Sequence, residues 1–401
     1  MSSDYNYRLL QKDIKEGKRI VLFLGAGINY CKDYPILWAD VMEHLFKSVI
    51  LNIASDNNLS QEERTLFKDL FGIDQNDGSK KKQNNDSKTL QASEKLLQYV
   101  YNEFPFTLQS YIVKKYLGNR YIPIIQGFIY GNIDGEYIKK QFENNHKIGN
   151  AIKDRETDVE GLFEVARLIL LCDNIKAIVT YNYDNLLTQA INIIQDEPQL
   201  YFNEKELDIY YSRLSRLRFK TKTIDKSSSK LSVDIDINKL KVEDIYGDNY
   251  SKSLSGDIIP IYHVHGYIPS PREMQRIEDD SIVLSMDEYY NNLRNVYCWQ
   301  TDTQMHFLSH YTCIFMGSSM SDITIQRMLY NVQQHGNNDR IYCFQAYGPD
   351  PNDTNEIERK LRRILYNTKQ NFFQSYGLTM ITEEKYSQMY EKINKLPIIE
   401  I

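Results

Sequence analysis

Arg19-Ile-Val-Leu-Phe-Leu-Gly-Ala-Gly27 is the stretch on which the fold turns. A short β-branched and apolar run ending at a glycine reads as a central parallel strand, buried on both faces. Beyond the turn, Trp38, Val41, Met42, Leu45, Phe46 and Val49 recur at the spacing of an amphipathic helix that packs back on the sheet. Strand, glycine turn and helix together make the opening of a doubly wound nucleotide-binding unit. Glycines let the backbone turn tightly and approach a pyrophosphate, and a helix N-terminus offers N–H groups and a positive dipole end. A plain tight turn fits Gly25-Ala26-Gly27 as well, because the third glycine of GxGxxG is missing and Tyr30 stands there. Asn29 reads as a helix N-cap or as a ligand contact.

The rest of the chain alternates in the same sense. Val159, Leu162, Phe163, Ala166 and Ile169 form a helical stripe, followed by the strand Lys176-Ala-Ile-Val-Thr-Tyr181 and a helix starting near Asp184. Further strands are expected at 258–265, 281–285, 312–317, 341–347 and 377–382, with helices at 287–295, 300–310, 321–334, 355–374 and 383–394. Alternating βα units predict a parallel sheet with helices on both faces. Two segments interrupt the alternation. Residues 51–157 are polar and helical in pattern, broken by the loop 77–88, and read as a helical addition. Residues 196–256 are polar and poorly periodic and read as an insertion. Its basic stretch Arg213, Arg216, Arg218, Lys220, Lys222, Lys226 and Lys230 reads as a partner contact or as a plain charged surface.

Composition closes several routes. The 401 residues carry 48 Lys and Arg against 54 Asp and Glu, a net charge of −6. That balance gives no general attraction to nucleic acid or anionic membranes. Mean hydropathy is −0.52, and no run approaches the ~18 apolar residues of a membrane span. The run Ile20 to Leu24 follows Asp4, Asp13 and Glu16 and lacks the features of a signal peptide. Five cysteines, at Cys31, Cys172, Cys298, Cys313 and Cys343, include no CxxC pair. A four-cysteine zinc ribbon and a thioredoxin-type motif are therefore excluded, and a reducing cytoplasm is the expected setting. No GxxxxGK[ST] occurs, which disfavours a P-loop ATPase.

Three further motifs fall at strand ends, where open α/β sheets bind ligands. Thr180-Tyr181-Asn182-Tyr183-Asp184 clusters an amide, a carboxylate and two phenols, and reads as a ligand site or as a helix start capped by Asn182 or Asp184. His263 and His265 are two apart on an expected strand and share a face. No HExxH and no third ligand accompanies them, so His265, at the rim before Gly266, reads as a general base or as a satisfied rim histidine rather than a metal ligand. Met316-Gly317-Ser318-Ser319-Met320-Ser321-Asp322 offers hydroxyls and N–H groups to a phosphate or ribose, or an ordinary N-cap by Ser319 or Ser321.

In order, a glycine turn after the first strand, Thr-x-Asn-x-Asp, His-Gly and Gly-Ser-Ser resemble the sirtuin family. The likeness covers roughly 15–50, 158–195 and 257–400. Pro35-Ile-Leu-Trp38 and Ser281-Ile-Val-Leu-Ser-Met-Asp-Glu-Tyr-Tyr290 resemble further elements of bacterial sirtuin-like proteins. The resemblance implies one α/β domain: a Rossmann-like doubly wound parallel sheet, with 51–157 added as a lid and 196–256 inserted. It implies NAD⁺ as substrate, with no metal and no separate cofactor, and cleavage of the nicotinamide–ribose bond. Gly25, Ala26, Gly27, Asn29 and Thr180 would then contact NAD⁺. Asn182 would position the ribose or the attacking water, Asp184 would hold the nicotinamide end, and His265 would be the general base. Gly317, Ser318 and Ser319 would bind phosphate or ribose. Tyr181 stands where the deacylase pattern has glutamine, and Asn29 where it has serine.

The absent CxxC pairs separate the chain from the zinc-bearing deacylases and align it with the anti-phage defence branch, which hydrolyses NAD⁺ to nicotinamide and ADP-ribose. An NAD⁺- or ADP-ribose-binding regulatory module and an NAD-dependent deacylase are the alternatives. The same resemblance implies control by self-assembly into a homo-oligomer, or by a separately encoded HerA-type motor ATPase or short Argonaute. Direct nucleic-acid binding and membrane attachment are not expected.

Overall fold

Ile20–Leu24 forms strand β1, and all five of its side chains are buried. The architecture was read from a computed structural model of the chain, which describes residues 3–29, parts of 41–49 and 60–65, 106–132, 160–225, 239–247, 258–271, 282–283, 288, 298–334, 340–346, 356–383 and 385–396. Pro35 to Trp38, the loop 77–88, most of 281–290 and most of the expected helix 287–295 lie outside those residues.

Six more strands join β1: β2 Ile175–Thr180, β3 Lys241–Ile245, β4 Ile258–His263, β5 Thr312–Met316, β6 Ile341–Ala346 and β7 Leu378–Glu383. They form one sheet in the order β3-β4-β2-β1-β5-β6-β7, and every pairing is parallel. The chain is thus an α/β protein of Rossmann-like layout. From β1 it first steps to β2 on one side, and later returns to place β5 on the other. The β1–β5 boundary is therefore the topological switch point, beside which ligands of open α/β sheets bind.

Alternation along the strands divides the core between two layers. Val21 and Phe23 of β1 cluster with Cys313 and Phe315 of β5 and with Phe307, Ile325, Met328, Val332 and Phe373. The last five come from α7 (Trp299–His310), α8 (Ile323–Gln334) and α9 (Glu356–Ser375). Phe23 and Phe315 stack at 4.6 Å across the central strand pair. The opposite face is left for α1 (Ser3–Lys15), α4 (Glu160–Leu171), α5 (Leu186–Asp196) and α10 (Tyr386–Lys395). There Tyr342 of β6 donates its hydroxyl to Asp13 of α1 at 2.6 Å, and α10 packs on β6 and β7.

Two compact units divide the chain. The first comprises Met1–Pro35, Ile133–Tyr267 and Tyr297–Ile401, and holds the whole sheet. The second comprises Ile36–Asn132 and Ile268–Val296. In the second, α2 (Phe106–Leu117) and α3 (Tyr121–Asn132) are helical. Val113, Tyr121, Ile125 and Ile129 are buried there, and Tyr130 and Gln126 donate to the main-chain carbonyls of Ile268 and Pro269.

The main departures from the sequence reading lie in 196–256 and 281–285. The first, read as an insertion, supplies helix α6 (Glu204–Asp225) and the edge strand β3. Strand β3 is short and its residues are mostly half-buried, as an edge permits, so no apolar run announces it. Gln195 of α5 fixes its entry, accepting from the Leu240 N–H at 2.6 Å and donating to the Leu240 carbonyl at 3.1 Å. The expected strand at 281–285 is not one where it is described, at Ile282 and Val283. Arg213, counted in the basic stretch, is buried and ion-paired with Asp173 at 2.7 Å. Arg216 pairs with the same carboxylate. Among the described residues no helix is long and apolar enough to cross a membrane.

Candidate active site at the strand ends

Two glycine loops meet at the switch point. The Gly27 N–H donates to the Gly317 carbonyl at 2.8 Å, and the Gly25 N–H to the Met316 carbonyl at 3.0 Å. A Cβ on Gly25 would fall 2.6 Å from the Gly317 oxygen, and one on Gly27 2.8 Å from it. A Cβ on Gly317 would fall 2.5 Å from the Ile28 nitrogen, and its φ of +65° is a left-handed value. Backbone occupies the place of a Cβ on both sides, so the two loops pack main chain to main chain and only glycine fits. Residues Ala26–Asn29 follow as one 3₁₀ turn.

Asn29 does not cap a helix in the described structure. Its amide donates to Asp184 Oδ2 at 2.8 Å, which ties the β1 loop to the β2 loop. Asn29 is 5% exposed, and its Oδ1 is a buried acceptor with no partner among the described residues. Asp184 Oδ1 accepts from the N–H of Leu186, the first residue of α5, at 3.1 Å. Burial raises the Asp184 carboxyl above its ordinary range, against the Leu186 N–H, His263 and the Asn29 amide, which favour the charged form. Asp184 therefore serves the helix start and the Asn29 contact together, whereas Asn182 takes no part in capping.

Asn182 lies just past the end of β2. Its amide nitrogen reaches the Gly25 carbonyl at 3.4 Å, its N–H donates to Thr180 Oγ1 at 3.1 Å, and its carbonyl faces His263 Nδ1 at 3.1 Å. Tyr181 donates its hydroxyl to Gln304 Oε1 at 2.8 Å and sets its ring 5.1 Å from that of His265. Burial and the nearby Asp322 charge push the Tyr181 phenol well above its usual range, so it acts as a neutral donor.

The two histidines are not equivalent. Strand β4 ends at His263, and His265 follows in the turn. His263 is 1% exposed, with Nε2 at 2.8 Å from Asp244 Oδ1. His265 is half-buried. Burial lowers its pKa below the ordinary 6.5, opposed by the charge of Asp322. Among the described residues no group of three His, Cys, Asp or Glu is placed to hold a metal ion.

In the β5 loop the hydroxyls face one another. Ser318 Oγ accepts from the Met320 N–H at 3.2 Å, and Ser319 and Ser321 share a hydrogen bond of 2.6 Å. The residue that takes the first turn of α8 is Asp322, which accepts from the Thr324 N–H at 2.7 Å, and not Ser319 or Ser321. Met320 adopts a φ of 58°, unusual for a side-chain-bearing residue, and is held there by Gln326, which donates to its carbonyl at 2.9 Å.

The structure thus brings Gly25, Gly27, Asn29, Asn182, Asp184, Gly317 and Ser318 together at the strand ends, with His265 against Tyr181. The sequence reading missed Asp244, Thr188, Gln304 and Asp322. Asp244 sits on the unforeseen strand β3, so no sequence signal places it beside His263.

A family model described as SIR2-like domain matches residues 176–381. The match begins in β2 and ends in β7, so it includes the loops of Asn182, His265 and Ser318 but not the Gly25 turn. That turn is tied to the site by its contacts with Gly317 and Asp184. No curated protein matches the chain. The model spans more than half of the 401 residues, and the chain belongs to the family of SIR2-like domains, which are typically NAD-dependent enzymes.

Proposed function

We propose that this protein hydrolyses NAD⁺ to nicotinamide and ADP-ribose, and that it serves as an anti-phage effector by depleting the cell of NAD⁺. The supporting observation is the close main-chain packing of the β1 and β5 loops at the switch point. Their glycines leave no room for side chains, and beside them the buried amide–carboxylate pair of Asn29 and Asp184 keeps the Asn29 Oδ1 without a partner among the described residues. These features fit a dinucleotide. Bare backbone allows close approach of a pyrophosphate, and the free Asn29 oxygen suits a ribose hydroxyl or amide donor.

Nicotinamide leaves NAD⁺ as a neutral ring while positive charge grows on the ribose C1′. Water then adds at C1′ and gives up a proton. In this reading Asn182 orients the water and Asp184 lies toward the developing charge. His265, kept neutral by burial, takes the proton. The chain has no CxxC pair, so it cannot build the zinc module of the deacylases, which favours water over an acyl-peptide as the acceptor.

The test is release of nicotinamide from NAD⁺ by purified protein, with His265→Ala and Asn182→Ala as controls. Each substitution is expected to lower release by about 10²–10⁴-fold without unfolding the chain. Full activity in both would remove these residues from the reaction. Tight NAD⁺ binding with no release would favour a sensing module instead.

A further inference from the structure

Behind Asn182 a chain of hydrogen bonds crosses three strands. Thr188 of α5 donates its hydroxyl to the Asp244 carboxylate of β3, at 2.9 Å to each oxygen. Asp244 Oδ1 faces Nε2 of His263 on β4 at 2.8 Å, and Nδ1 of the same ring faces the main-chain carbonyl of Asn182 at 3.1 Å. Both partners of the ring are acceptors, and an N–H on Nδ1 is the donor that meets the Asn182 carbonyl.

We propose that His263 is a positioning residue for Asn182. Strand β2 ends at Thr180, and the two main-chain groups of Asn182 are met by side chains. Thr180 takes its N–H and His263 its carbonyl. Both peptide planes flanking Asn182 are thereby set, and with them the direction of its Cα–Cβ bond. Among the described residues the Asn182 side chain makes the long 3.4 Å contact to Gly25, and the main chain fixes its aim. Asp244 and Thr188 hold the ring in the orientation that presents Nδ1. A reacting group displaced by about 1 Å costs on the order of 10²-fold in rate, so this backing acts on turnover as well as on folding. The inference rests on the reading of Asn182 as part of the hydrolytic site.

Two substitutions separate the two ring nitrogens. His263→Asn keeps an N–H where Nδ1 stood, facing Asn182, and loses the reach to Asp244. His263→Gln keeps the reach to Asp244 and loses the bond to Asn182. Steady-state nicotinamide release and backbone hydrogen exchange of the peptide covering 181–186 would be measured on both and on the native chain, with melting temperature as the fold check. His263→Gln is expected to lower kcat by about 10–100-fold with KM within about threefold, and to speed exchange across 181–186. His263→Asn, which keeps the bond to Asn182 without the Asp244 anchor, is expected to fall between the native chain and His263→Gln in both. Equal losses in the two variants, or native kcat and exchange in His263→Gln, would overturn the proposal. If the native chain releases no nicotinamide, the hydrolase reading falls, and exchange alone judges the positioning. If His263→Gln does not fold, Thr188→Val takes its place. It frees Asp244 from its second donor, so faster exchange across 181–186 is expected and native exchange overturns the inference.

Discussion

Gly27 donates its N–H to the carbonyl of Gly317 at 2.8 Å, and a Cβ on Gly27 would stand 2.8 Å from that same oxygen. One contact therefore explains why the β1 turn and the β5 loop both carry glycine, although 290 residues separate them in sequence.

Gly27→Ala is expected to force the two loops apart. The methyl group meets backbone on the far side, which cannot rotate away, so a loss of about 1–3 kcal/mol is expected. Release of nicotinamide should fall with it. Gly127→Ala in α3 is the control, since nothing lies within 4 Å of its added Cβ. A helical glycine replaced by alanine should be neutral or stabilising by about 0.5–1 kcal/mol. Thermal melts of the two variants check both signs, and a Gly27→Ala chain as stable as native would contradict the close packing.

Asn29→Asp would place a second carboxylate against Asp184, where the native pair has an amide donor at 2.8 Å. Two buried carboxylates at that distance cannot both ionise, so the pair retains a proton that the unfolded chain would release. The folded-state pKa of that proton is raised. Its contribution to stability is therefore full below the ordinary carboxyl value of 3.8 and is lost as pH rises through the raised value. The variant should melt close to native at pH 4 and well below native at pH 8. A constant difference between the two pH values would show that the carboxylates do not share the site.

The β1 turn and the three further strand-end motifs were legible because buried parallel strands are uniformly apolar and end in glycine or polar residues. Val21 to Leu24, Ile178 to Thr180 and Cys313 to Met316 all have that form, and all lie in the sheet centre. Strand β3 was not legible. Lys241-Val-Glu-Asp-Ile245 is an edge strand with one neighbour, so it needs little apolar surface and carries three charges in five residues. With β3 unseen, Asp244 is not joined to His263, which the sequence places only as the face-mate of His265. Hydrogen-bond partners so distant in sequence depend on strand order, and strand order is not written in local periodicity.

Arg213 shows the same limit for charge. Read along the sequence it belongs to a basic stretch, yet in the fold it is 6% exposed and paired with Asp173 at 2.7 Å. Burial lowers the guanidinium pKa, and the Asp173 charge opposes that shift. Asp173→Ala should therefore leave a buried cation without its carboxylate. The expected loss is about 2 kcal/mol, between that of an exposed pair and that of a fully buried one. Denaturant unfolding of Asp173→Ala beside the double variant Asp173→Ala, Arg213→Met checks this. The double variant should recover part of the loss, because a neutral side chain of similar length needs no counter-charge.

His265 carries the expected pH dependence. Burial holds its pKa below 6.5, and Asp322 pulls it upward. The ring is thus neutral at pH values where an exposed histidine is half protonated, and nicotinamide release should persist through pH 6.5 and fall only on the acid side of it. Asp322→Asn keeps an oxygen for the Thr324 N–H and removes the charge. Without that charge the imidazolium is less stable, the pKa drops further, and the acid limb should move to still lower pH. Stability follows the same sign: the folded chain binds this proton less tightly than the unfolded chain, so stability is lost as pH falls below 6.5. The loss should be steeper in Asp322→Asn. An acid limb that stays in place or moves upward in that variant would assign the titration to a group other than His265.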